Sequence, residues 1–396
     1  MYFCVLSALS PYGGGPTSLT YDESDDIAEL ALQLAEEVAP TLEGKLSFAD
    51  IQILLQDTLR LLSDDQRWLL DFTGRNTYDW QEDDFCYTGL VIGPQGSSPK
   101  IQVRRVERYS YDYRKWEILV VQCDDGEVRI SEPTRYGGKS ASFFCWERPY
   151  LYFKTWLRFS SPSISDLDDT AFAEKLFLLV DSDHDNCLHR RTVSNLLPCI
   201  SYGVIKNTEE DGEEELFRTM RVGSKAVADT IAAGKQGCDL WPALAADFGV
   251  WMVTRPDVWP PPPARLDSTA VPLQSRSETI FETLPRELLL QILLLLPLHD
   301  LFSLQLLSHS FRALISLLLD EVLWHHVHRG NFRWVLPVAE VKGEVKRANS
   351  AAINSRDFPF SSFLRECLQN SDSMRNRQRL WRISQQFTLL WENRFV

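Results

Sequence analysis

"TLPRELLLQILLLLPLHDL", residues 283–301, decides how the chain is read. From Leu288 to Leu298 the only polar side chain is Gln291, yet the run is broken at Pro297 and falls short of the roughly 18 consecutive apolar residues a membrane-spanning helix needs. It therefore reads as helix in a folded domain. Pro285 and Glu287 suit a first helical turn, Pro297 ends the helix, Asp300 can cap a second and Ser308 a third. A surface helix ordinarily buries one stripe, whereas Leu288, Leu289, Leu290, Ile292, Leu293, Leu294, Leu295 and Leu296 cover nearly the whole circumference of the first. It needs cover on more than one side. Leu301, Leu304, Leu307, Phe311, Leu314, Leu317 and Leu318 supply one wall, but so small a helical unit rarely makes a sufficient core alone. The remaining faces meet either the rest of this chain or a second protein laid along a helix.

Working outward, "RPDVWPPPPARLDSTAVPLQSRSE" precedes this segment, and Pro260 to Pro263 can continue neither helix nor central strand. The expected organisation is a mixed α/β domain over 1–255, a Pro-rich linker over 256–280, the leucine-rich unit over 281–330 and a C-terminal helical segment over 331–396. The expected fold class is α+β. Ile27, Leu30, Ala31, Leu34 and Val38 follow a helical period, and Ser47 three residues before Asp50 forms a capping-box pattern. From about 85 to 160 the pattern turns to strand in "YTGLVIG", "KIQVRRVE", "KWEILVVQ" and "EVRISEP", with Asp124-Asp125-Gly126 as a hairpin turn. Helical spacing returns from 165 to 205, before the acidic run "NTEEDGEEE". Two amphipathic helices close the chain, one carrying Phe360, Phe363, Leu364 and Cys367, the other Leu380, Ile383, Phe387, Leu390 and Trp391. The second is expected to pack back onto the folded body, with Arg375, Arg379 and Arg382 mostly on other faces.

The formal charge of −14 argues against nucleic acid as the main partner, because phosphate binding needs a basic surface. The imbalance is local: acids concentrate between residues 20 and 84, arginines at Arg375, Arg377, Arg379 and Arg382. The 8 cysteines are scattered singly with no C-x-x-C pair, which fits a reducing compartment. "MYFCVLSALS" lacks a basic start and a small-residue cleavage pattern, and reads as a buried strand rather than a signal peptide.

Leu284-Pro285, Glu287, Ile292-Leu293, Leu296, Pro297, Asp300-Leu301, Leu304, Leu307-Ser308, Phe311-Arg312 and Leu323-Trp324 resemble, in order and spacing, the pattern of the F-box family. Leu follows Glu287 where Val is frequent, and Ser308 stands where Cys is frequent. The closing "SMRNRQRLWRISQQFTLLW" is similar to the ends of F-box proteins of filamentous fungi. The resemblance implies a three-helix module that docks onto the Skp adaptor of an SCF ubiquitin ligase, and through it a cullin scaffold. It further implies adaptor-facing positions at Leu284, Pro285, Ile292, Leu293, Leu296, Leu301, Leu304, Leu307 and Trp324. The expected function is a substrate-recognition subunit that is not itself an enzyme, works in the cytoplasm or nucleus, takes no cofactor, nucleic acid or membrane, and holds an unknown protein substrate with the rest of the chain. The alternatives are an F-box protein acting with the adaptor outside a ligase, or a calcium-responsive protein whose leucines are only core.

Three patterns invite other readings. Asp181, Asp183 and Asp185 occupy the first, third and fifth places of a calcium loop, but Asn186 stands where Gly is needed and Thr192 where a bidentate Glu should close the shell. Gly138-Lys139-Ser140 ends like a phosphate loop, but Pro133 takes the place of its first Gly. His325, His326 and His328 lack a neighbouring carboxylate or Cys pair to complete a metal shell.

Overall fold

The computed structural model describes Leu6 and residues 25–42, 44–63, 66, 89–95, 98–111, 118–123, 126–131, 142–186, 200, 225–247, 251, 254–262, 284–307, 309–330, 332–348, 353–356 and 358–395. The chain divides into two compact units, Met1–Thr254 with Arg379–Val396, and Arg255–Gln378. Helices and one antiparallel sheet make the chain α+β.

In the first unit, α1 (Asp25–Val38) buries Ile27, Ala31, Leu34, Ala35 and Val38, the face its period prescribes. The expected capping box opens α2 (Phe48–Leu61): the Asp50 amide donates to Ser47 Oγ at 3.2 Å, and the Ser47 amide donates back to Asp50 Oδ2 at 3.3 Å. Ile51, Leu55 and Leu59 on α2 meet α1. Further along the chain, Val227, Ala228, Ile231, Leu240, Ala243 and Leu244 complete this helical cluster.

The sheet runs β4-β3-β2-β1-β5, with β1 Gly89–Gln95, β2 Ser98–Tyr111, β3 Ile118–Cys123, β4 Gly126–Ser131 and β5 Phe143–Trp146. The first four are the expected strands. Cys123 pairs with Gly126, so a two-residue connection closes the β3–β4 hairpin where Asp124-Asp125-Gly126 predicts it. Val91 and Ile92 on β1 are fully buried and pair with Phe144 and Phe143 of β5. Strand structure stops earlier than expected: Glu147–Ser160 is helix α3, not strand. Its aromatic residues carry strand propensity, but Tyr150, Phe153 and Leu157 recur at helical spacing and are buried together.

Helix α4 (Asp169–Asn186) follows. Asp181, Asp183 and Asp185 fall within the bounds of this helix, where an open calcium loop is the alternative reading. Of the strand expected over 1–10, Leu6 is described, buried and in a turn; the remainder, the phosphate-loop pattern at 133–140, the acidic run at 207–215 and residues 187–192 lie outside the described residues.

The C-terminal stripe is buried as expected. On the last helix, Phe387 meets Phe153 edge-on at 4.6 Å, Trp381 meets Trp156 edge-on at 5.3 Å, and Trp391 stacks on Phe172 at 5.4 Å, all within the first unit. Ile383, Phe387 and Trp391 are fully buried.

The second unit begins where a linker is expected. Pro256 and Asp257 are buried, Trp259 Nε1 donates to the Val335 carbonyl at 2.8 Å, and the Val258 amide donates to Ser373 Oγ at 3.0 Å. The first part of the Pro-rich stretch is thus structural: a segment with no helix of its own satisfies its polar groups against the unit's turns. Helices α5 (Arg286–Leu295), α6 (Leu298–Leu307) and α7 (His309–Arg329) are the three expected, although α6 starts after Pro297, whose carbonyl accepts from the Asp300 and Leu301 amides, so that Asp300 lies in its first turn rather than at its cap. They are followed by α8 (Phe360–Gln369) and the start of α9 (Asp372–Phe395).

Arg377, on α9, is fully buried rather than part of a surface cluster. Its Nε donates to the Trp334 carbonyl at 2.6 Å, Nη1 to the Pro256 carbonyl at 3.1 Å, and Nη2 to the Leu336 carbonyl at 2.8 Å. Nη1 and Nη2 also fork onto Glu344 at 2.9 and 3.1 Å, and the guanidinium lies 4.7 Å over the Trp259 ring. Glu344 in turn accepts from the Val338 amide at 2.7 Å.

Candidate functional site

The α5 helix starts at Pro285, whose carbonyl accepts from the Leu288 and Leu289 amides at 3.0 and 3.1 Å. Leu289 and Leu293 turn inward and join Leu301 of α6 and Ile315, Leu318 and Val322 of α7 in one core. Leu290, Leu294, Leu296, Leu304 and Leu319 pack against it half-buried. This core uses one side of α5. On another side Leu288, Ile292 and Leu295 stay exposed at 48%, 37% and 83%, spaced i, i+4, i+7 so that they form one stripe. Leu306 on α6 and Leu317 on α7 are also exposed, at 78% and 64%. An ion pair from Arg286 to Glu321 at 3.0 Å ties the start of α5 to α7.

The residues singled out from the sequence fall into three groups. Pro285 and Ile292 are exposed, and Leu284, Leu296, Leu304 and Trp324 are half-buried. Leu293 and Leu301 lie in the unit's own core at 3% and 1% exposure, where they support the surface from beneath. The Leu307 side chain lies outside the described residues. Leu288, Leu295 and Leu306 were not singled out, although the all-round apolar character of α5 was the signal that some of its leucines must remain uncovered.

Trp324 closes the far end. Its Nε1 donates to the Asn354 carbonyl at 3.1 Å, the ring stacks on His328 at 4.2 Å, and the Arg356 guanidinium sits over it at 5.3 Å. Burial, then the charges of Arg329 and Arg356, hold His325 below the usual imidazole range. Burial, then Arg329 and His325, do the same to His326. His328 Nδ1 lies 2.8 Å from the Trp324 carbonyl. Among the described residues no group of three His, Cys, Asp or Glu side chains is arranged to hold a metal ion, and no helix is long and apolar enough to cross a membrane.

Three short helices whose apolar surface exceeds what their own core takes up make a helical protein-interaction module. Residues 281–330 match the family model described as F-box-like, which supports reading that segment as an F-box domain. Neither curated proteins nor solved structures include a match to the chain.

Proposed function

We propose that the chain is the substrate-recognition subunit of an SCF-type ubiquitin ligase. The F-box unit binds a Skp-type adaptor and through it a cullin, and the rest of the chain holds a protein substrate. The observation that carries this reading is the exposed leucine-rich surface of Leu288, Ile292, Leu295, Leu306 and Leu317 on a unit that matches the F-box-like model. Leaving such side chains in water is unfavourable by about 25 cal/mol per Å² of apolar surface, so covering them with a partner favours association.

In this role the chain carries no catalytic residue. The thioester cysteine belongs to the ubiquitin-conjugating enzyme, and the receptor supplies proximity by raising the effective concentration of a substrate lysine beside it. Such a role places it in the cytoplasm or nucleus. Affinity purification of the tagged chain from its native cell, with mass spectrometry, tests the assignment. Recovery of both adaptor and cullin is expected, together with a protein whose abundance rises when this chain is deleted; recovery of adaptor without cullin contradicts the ligase role.

A further inference from the structure

The Trp324 end of α7 carries a charge that the apolar stripe does not explain. Arg329 and Arg356 are exposed, and among the described residues no carboxylate is paired with either. Glu321, an acid on the same helix, is engaged by Arg286 at 3.0 Å. His325 meets the Trp324 ring edge-on at 5.0 Å, and Arg329 follows it by four residues, one turn along α7; after burial, Arg329 and Arg356 come first among the groups that push His325 away from its cationic form. Arg356 is also held in place, because its guanidinium lies over the Trp324 face at 5.3 Å. A guanidinium whose carbon lies over an aromatic ring still carries N–H donors that can grip a carboxylate with two parallel hydrogen bonds. On α7, Leu317, Trp324 and His328 share one helical face by their spacing of seven and four residues, so the Trp324 ring with Arg356 over it continues the face that bears the exposed Leu317, and Arg329 flanks it from the adjoining face.

We infer that the docking surface is bipartite: an apolar stripe on the F-box helices, and at Trp324 a cationic corner formed by Arg356 and Arg329 that receives an acidic side chain of the docked protein. The inference rests on the adaptor-binding reading and adds the chemistry of the partner: its contact segment carries Asp or Glu beside an apolar patch. Rim charges of this kind act mainly through association rate and salt dependence.

The test is binding of the full chain to purified Skp-type adaptor at rising salt, for the unmodified chain and for the Arg329→Gln/Arg356→Gln double variant. Because both side chains are exposed, the variant should remain folded, its melting temperature lowered by no more than the loss of the exposed Arg356–Trp324 contact implies. Affinity should fall about tenfold at low salt, with a flatter salt dependence and a slower association rate. Unchanged affinity and salt dependence in the variant, with binding by the unmodified chain intact, overturns the cationic corner and leaves the functional reading standing. Absence of binding by the unmodified chain overturns both.

Discussion

Arg377 shows how far one side chain can depart from the pattern it sits in. In sequence it belongs to a run with Arg375, Arg379 and Arg382 that faces an acidic N-terminal region, and charge patterning treats such a run as a surface. In the fold its donors are taken by three carbonyls and by Glu344, all buried. Removing one partner leaves an uncompensated buried charge, so Glu344→Gln should destabilise by about 3 to 5 kcal/mol in a denaturant melt, whereas exposed Arg382→Gln should change stability by about 0.5 kcal/mol or less. Equal, small effects of the two would show that the buried pair is not formed. His326 gives a second test at this scale. Its folded-state pKa is depressed, first by burial and then by Arg329 and His325, so the fold accepts the neutral ring. The stability this provides is fully present above the ordinary imidazole value, begins to fall as pH drops through it, and is lost once pH passes below the depressed folded value. The melting temperature should therefore begin to drop as pH falls through the ordinary imidazole value of about 6.5, and His326→Asn should lessen that drop.

The helices and hairpins were legible because their local chemistry agrees with their place. Ser47 and Asp50 cap α2, Pro285 and Pro297 bracket α5, and the stripe from Ile383 to Trp391 states that α9 must be covered. What the residues did not disclose is what required a third dimension. The aromatic run at 147–160 satisfies strand propensity and helix period alike, and only its burial beside Phe172 and Phe387 decides for helix. The start of the Pro-rich stretch reads as a linker because nothing local shows that Trp259 reaches Val335. Likewise the sequence marked α5 as needing more cover than one face provides, but which leucines go inward depends on α6 and α7: Leu293 is core and Leu295 is not. At this scale the last helix is the testable element. Phe387→Ala should cost about 3 to 5 kcal/mol because it empties a fully buried site against Phe153, and Leu389→Ala on the exposed side of the same helix should cost far less. Chemical denaturation of the two variants decides between a docked helix and one that contributes nothing to the core.

Over the whole molecule, the chain's two units have different internal economies of burial. The first holds a helical cluster, a sheet, and helices α3 and α4 covered by aromatic residues from the chain's last helix; the second closes a buried ionic network and a leucine core, yet leaves leucines in water on each of α5, α6 and α7. That residual surface, on the segment that matches the F-box-like model, is the central claim's foundation. The most direct test is the affinity of the full chain for a purified Skp-type adaptor, with and without Ile292→Asp and Leu295→Asp. Leu295 is exposed and Ile292 partly so, and neither belongs to the unit's core, so the double variant should remain folded with only a modest fall in melting temperature from placing acids near a helix C-terminus. The account predicts tight binding by the unmodified chain and a loss of about 100-fold or more in the variant, since central apolar anchors contribute about 2 kcal/mol or more each. Equal affinity in the two proteins would contradict it.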